Sequence, residues 1–251
     1  MTKSLLSFLL LFSFLLSSGA FAEPTHLAIH GSTVFIAAAL APNKATLETE
    51  TGLTLDITGN SAGEGVEALA KGETTLAMIT GSLEDVAAKV NAKKPGLVDP
   101  ASLKAHEIGT TRVAFAIHPS NPVTALDKTQ LVRILKGETT NWKEVGGEDK
   151  PIILVTGIAS TGLRTAVEKE YLGGASVTSN AKTLMNSALI GTLVEKAPNA
   201  LGILVVDMLR PSMKEITIEN PEPIKLAYVT KGEPSAAASK LISATTKLMK
   251  K

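Results

Sequence analysis

The chain contains no cysteine. No disulfide can staple the fold, no lipid-bearing cysteine can follow a processing site, and a cofactor-bearing cysteine is excluded. Aromatic residues are nearly as scarce, with one Trp, two Tyr and six Phe in 251 residues. The core must therefore come from Ala, Leu, Ile and Val, and stacking platforms for sugars or bases are few. Charge of one sign is lacking too, with 25 basic against 24 acidic side chains. Such a balance gives nucleic acid or an anionic membrane no excess of positive charge to select. The four histidines, His26, His30, His106 and His118, are scattered and show no metal-ligand spacing. Gly109 and the pair Gly146-Gly147 form no dinucleotide fingerprint, and "KGETT" is no phosphate-binding P-loop. No cofactor and no metal are expected.

One long apolar run is present. "MTKSLLSFLLLFSFLLSSGAFA" combines an early Lys3, an apolar stretch from Leu5 to Leu16 and an A-x-A site at Ala20-Phe21-Ala22. This is the layout of a secretory signal peptide over residues 1–22, cleaved after Ala22. Its apolar part is shorter than the roughly 20 residues of a membrane-spanning helix. The expected mature chain starts at Glu23, lies outside the cytoplasm, and balances 24 basic with 24 acidic groups once Lys3 is gone.

From there, short apolar runs alternate with helical patterns. "HLAIHG", "LTLDIT" and "TTLAMIT" read as strands; "TVFIAAALAPNKATLETE", "GEGVEALAKG" and "LEDVAAKVNAK" read as the helices that follow them. The alternation continues through "RVAFAIHPSNP", "LDKTQLVRILKG", "PIILVT", "TGLRTAVEKEYL", "SALIGTLVEKAP" and "ALGILVVDML", and a Ser/Ala/Lys helix closes the chain. This pattern predicts an α/β fold with mostly parallel sheets flanked by helices. No flexible linker and no repeat divides it.

The stretch "GNSAG", Gly59 to Gly63, fits the G-x-S-x-G nucleophile elbow of a serine hydrolase. That fold needs an acid and then a histidine after the serine, yet no histidine follows His118. His30-Gly31 echoes a lipase oxyanion loop by a single glycine. A hydrolase is the remote alternative. A second use of such a turn fits better. Hydroxylated, glycine-rich turns precede helices at "HGSTVF", "GNSAGEG", "ITGSLED" and "IASTGLR". Helix starts carry unpartnered N–H groups and partial positive charge, and Ser or Thr adds a hydroxyl. Each turn alone could be an ordinary N-cap; four together point to a shared anion cradle.

The segments "HGSTVFIAAALAP", "GNSAGEGVEALAKGETTLAMITGSL", "HPSNPVTALDKTQLVRILKGETTNWKEVGGEDKPI", "STGLRTAVEKEYL" and "NSALIGTLVEKAPNALGILVVD" resemble, in order over about residues 27–207, the phosphate-binding-protein-like family. Its members are periplasmic substrate-binding components of phosphate ABC transporters. The resemblance implies a two-lobed periplasmic-binding-protein clamshell (type II), with no chemistry performed. Lobe 1 would hold residues 23–113 plus 208–251 and lobe 2 residues 114–207, with crossings near Val113–Pro119 and Val205–Met208. It implies a small anion as ligand, phosphate first, an inner-membrane ABC permease as partner, and a monomer. Carried across position by position, the ligand set is Ser32, Thr33, Asn60, Ser61, Thr80, Ser82, Ser160, Thr161, Gly162 and Arg164, with Arg112 at the first lobe's edge as a further candidate. Trp142 has a packing role.

Three positions depart from the family pattern. Thr80 stands where an acid is frequent, Gly157 where an arginine is expected, and Leu163 in place of a threonine. A neutral pocket of this kind could serve another small anion. A ligand-sensing or accessory domain of altered specificity is therefore the alternative reading. Arg164 has Glu168 four residues on as an ordinary helix-surface partner. The hydrolase reading requires a fluorophosphonate probe to label Ser61; the binding reading predicts no labelling, which in-gel fluorescence of the treated protein checks.

Overall fold

The computed structural model describes residues 25–158, 162–184, 187–219 and 221–250; the expected signal segment, 1–22, and Ser160 and Thr161 lie outside them. The described chain runs β1 (His26–Ser32), α1 (Thr33–Phe35), α2 (Lys44–Thr51), β2 (Thr54–Asn60), α3 (Ala62–Lys71), β3 (Leu76–Thr80) and α4 (Leu83–Lys93). It continues through β4 (Leu103–Ile117), α5 (Lys128–Lys136), β5 (Ile153–Gly157), α6 (Gly162–Leu172), β6 (Lys182–Leu184) and α7 (Ser187–Lys196). The last elements are β7 (Ala200–Val205), β8 (Lys214–Ile216), β9 (Pro223–Lys231) and α8 (Ala236–Met249).

The strands form one curled mixed sheet in the order β2-β1-β3-β9-β4-β7-β5-β6, with β8 also paired to β4. It is parallel at its flanks, where β1 pairs β2 and β3, and β5 pairs β6 and β7. Its centre is antiparallel: β9 pairs β3 and β4, and β4 pairs β7 and β8. The mostly parallel expectation is corrected there. Strand–helix alternation predicts parallel neighbours only where a helix carries the chain back, and β9 enters without one. β4 ties the two halves together, since residues 103–112 pair with β9 whereas 113–117 pair with β7 and β8. Residues 214–216, beyond the boundary drawn at 208, pair with 115–117.

The run "TVFIAAALAPNKATLETE" reads as one helix but forms two. α1 continues as a π-helical turn, Ile36–Leu40, and then stops. Pro42 has no amide hydrogen to donate to a continuing helix, and Asn43 N-caps α2. "RVAFAIHPSNP" reveals only the second half of β4, because the first half alternates buried and exposed residues and looks polar.

Trp142 is buried, and its indole N–H donates to the Asn199 carbonyl at 2.9 Å. The neighbouring Asn141 and Glu144 form a reciprocal capping box. Buried rings reinforce both halves, with Phe35 against Tyr228 (centroids 4.7 Å apart) and Phe115 edge-on to Tyr171 (5.5 Å). α8 lays Ala237, Ala238, Leu241 and Thr245 into the core, packing on β4 and α2.

The start of α3 is set by a close approach. A Cβ at Gly65 would stand 2.6 Å from the His30 carbonyl oxygen and 2.7 Å from the Gly31 Cα. Helix and strand backbones therefore touch where no side chain fits. Gly65→Ala should lower the unfolding free energy by about 1–3 kcal/mol through overpacking, read from urea melts; an unchanged midpoint would contradict this close contact.

Candidate functional site

Three chain segments from opposite sides of the molecule meet at the end of a cleft. Ser32 ends β1, Thr80 ends β3, and Gly162 begins α6. A Cβ built on Gly162 would lie 3.2 Å from Thr80 Oγ1, 3.8 Å from Val34 Cγ2 and 3.9 Å from Ser32 Oγ. Glycine thus leaves a space between two hydroxyls and a helix start. Ser61 and Ser82 line the same cleft, together with Val34, Thr80 and Gly162.

Each serine sits at the N-cap of a helix, and the local chemistry aims its hydroxyl. Ser32 Oγ accepts from Phe35 N–H at 3.3 Å, Ser61 Oγ from Glu64 N–H at 3.2 Å, and Ser82 Oγ from Asp85 N–H at 3.1 Å. A hydroxyl that accepts through a lone pair keeps its proton to give. All three are therefore oriented donors. The expectation of ordinary capping and that of an anion cradle are compatible, because one oxygen serves both.

The helix starts differ in charge, and this ranks them. Ser61 N–H donates to Glu64 Oε2 at 2.9 Å, completing a capping box that puts a carboxylate over the first turn of α3. α4 carries Glu84 and Asp85 in its first turn. The first turn of α6 has no acid. An anion is favoured by the positive end of a helix macrodipole and opposed by carboxylates placed there. Of the three, α6 is the start best disposed toward an anion, and Ser32 and Thr80 face it.

The other expected residues divide around this point. Thr33 follows Ser32 as the first residue of α1. Asn60 pairs with Ser32 across β1 and β2, and its buried Oδ1 has no hydrogen-bond partner among the described residues. Ser160 and Thr161 lie outside the described residues. Neither arginine is among the described residues lining the cleft. Arg164 is 7 % exposed; its Nε donates to Glu168 Oε1 at 2.9 Å and its Nη2 to the Val177 carbonyl at 3.2 Å. Glu168 Oε1 also accepts from Val177 N–H at 3.0 Å, so the ion pair pins the chain after α6 to that helix. Arg112 forms a two-pronged pair with Glu215, its Nη2 reaching Oε2 at 3.1 Å. That carboxylate raises the Arg112 pKa further, with Asp207 adding to it. Thr111 beside it donates to Asp207 Oδ2, a second tie between β4 and the segment after β7. Sequence reasoning had no signal for the Arg112–Glu215 pair, whose members are 103 positions apart.

The remainder of the cleft is large, about 1060 Å³, and is walled by α3 and α4 on one side and α6 on the other. Lysines and carboxylates share its walls, with Lys89 and Lys93 on α4 and Lys169 and Glu170 on α6. No histidine is among its described lining residues. Among the described residues no helix is long and apolar enough to cross a membrane.

This arrangement is that of a ligand-binding clamshell. A model described as the PBP superfamily domain matches residues 19–244, and the chain belongs to that superfamily. It is a binding protein and not an enzyme. It is 26% identical over 230 residues to the phosphate-binding protein PstS of Bacillus subtilis (strain 168), covering 86% of this chain and 73% of that one. It is 25% identical, with a TM-score of 0.71, to the solved structure of a phosphate ABC transporter substrate-binding protein of Clostridium perfringens with bound phosphate, covering 87% and 91% of the two chains. The ABC-type phosphate transport receptor of Vibrio cholerae shares the fold, with a TM-score of 0.59 at 24% identity over 88% of this chain and 93% of that one.

Removing one member of a mostly buried ion pair leaves the other charge uncompensated. Arg164→Met should therefore cost about 3 kcal/mol of unfolding free energy in chemical denaturation. A loss below about 0.5 kcal/mol, the usual range for a surface substitution, would show that the pair does not hold the chain after α6.

Proposed function

We propose that this protein captures a small oxyanion, phosphate first, between two lobes and delivers it to an inner-membrane ABC permease. One observation carries the reading: the acid-free start of α6 meets Ser32 and Thr80 around a space that a side chain at Gly162 would fill. The relatives support it, since their names describe phosphate binding and phosphate transport. In this reading lobe 1 carries Ser32, Thr33, Asn60, Ser61, Thr80 and Ser82. Lobe 2 brings Ser160, Thr161 and Gly162. The chain crosses between lobes through β4 and again before β9, and the protein works as a monomer outside the inner membrane after loss of residues 1–22.

With Arg112 and Arg164 committed to carboxylates, the anion is held by neutral donors and a helix start. Such a site forgoes the stronger charge-assisted pair that a guanidinium makes. That same observation favours the second reading, a sensing or accessory component of altered specificity. A neighbouring permease and ATPase gene pair supports transport, whereas a neighbouring histidine-kinase gene supports sensing.

Titration calorimetry with phosphate, sulfate, molybdate and arsenate tests the site. Thr80→Val keeps shape and removes the hydroxyl, and should weaken phosphate binding by about tenfold or more, the worth of a hydrogen bond to a charged group. Gly162→Val should abolish it with the fold intact by circular dichroism. Absence of heat from every anion at millimolar concentration in the unaltered protein would overturn the proposal.

A further inference from the structure

The cleft is far longer than one oxyanion requires, and its shape points to what fills the rest. Gly162, Thr165, Ala166, Lys169 and Glu170 all line it. These positions recur at the spacing of one helical face, so α6 lies along the cleft for about 12 Å. Opposite, Ser82, Asp85, Val86, Lys89 and Lys93 mark one face of α4 over about 16 Å. At the oxyanion end α6 instead abuts the end of β3, where the Gly162 Cβ position is 3.2 Å from Thr80 Oγ1. The volume of about 1060 Å³ therefore extends beyond that end. Pockets of roughly 300–1,000 Å³ take drug-sized molecules.

The chemistry of the extension is mixed in charge. Lys89, Lys93 and Lys169 form no ion pair among the described residues, whereas Lys94 is bound to Glu67 and Lys225 to Glu107. Carboxylates of Asp85 and Glu170 stand among them. At the far end of α6 lies Tyr171, 7 % exposed, whose hydroxyl is buried beside the Glu170 carboxylate. Burial and the neighbouring Glu170 raise its pKa, so the hydroxyl keeps its proton at neutral pH. Interleaved ammonium and carboxylate groups suit a ligand whose hydroxyls both accept and donate; they do not suit a second anion or an apolar tail.

We propose that the cleft takes a phosphomonoester of a short polyol, its phosphate at Ser32, Thr80 and the start of α6 and its hydroxylated tail between Lys89 and Asp85 of α4 and Lys169 and Glu170 of α6. This inference rests on the oxyanion reading above and narrows its substrate class. The test is calorimetric titration of the protein with inorganic phosphate and, separately, with glycerol 3-phosphate. The ester should bind at least about tenfold more tightly than inorganic phosphate. The double variant Lys89→Gln/Lys169→Gln should erase that advantage while changing inorganic phosphate affinity by less than about twofold. Inorganic phosphate binding as tightly as the ester, or the variant weakening both alike, would overturn the inference and leave the oxyanion site standing. If neither compound binds, both readings fall together.

Discussion

The proposed site depends on a helix start pressed against the ends of two strands with no side chain between them. At Gly162 a methyl group would already be 3.2 Å from the Thr80 hydroxyl. The positive end of α6 is thus brought to one point with the hydroxyls of Ser32 and Thr80, which lie 130 and 82 positions before Gly162. Everything else in the molecule can be read as holding that approach. β1 and β3 run parallel and end together, so their last residues reach the same rim. The tight seating of α3 on β1 at Gly65 brings the Ser61 cap to that rim as well.

Two antiparallel strands unite what would otherwise be separate α/β halves. β4 gives its first ten residues to one side of the sheet and its last five to the other. An ion pair and a hydrogen bond fasten that change. Arg112, the last residue paired with β9, is clasped by Glu215 of β8, and Thr111 is tied to Asp207. These charges hold the join and are not among the described lining residues of the cleft. Arg164 is likewise spent on Glu168 and Val177. The cradle is in consequence built of amide hydrogens and hydroxyls, which can hold an anion through dipoles without a formal positive charge.

What could be read in the sequence follows from range of interaction. Helix starts are decided within four residues, so "SAGE" predicts the Ser61–Glu64 capping box and "SLED" the Ser82 cap. The Arg164–Glu168 contact is equally local. Family resemblance over residues 27–207 made the clamshell legible. Long-range facts were not. β9, the strand at the centre of the sheet, went unread although "IKLAYVTK" holds five consecutive buried residues from Leu226 to Thr230. Without it the antiparallel centre could not be anticipated. Four hydroxyl-rich turns looked equivalent in sequence. Only their placement revealed that Glu64 and Asp85 cover two helix starts, while α6 is left open toward Ser32 and Thr80.

A crystal structure of the protein grown with arsenate, which has a strong anomalous signal, locates the bound oxyanion directly. One anomalous peak is expected, between the amide of Gly162, Thr80 Oγ1 and Ser32 Oγ. A peak instead beside Arg112 or Arg164, with the space at Gly162 filled by protein or water, would contradict it.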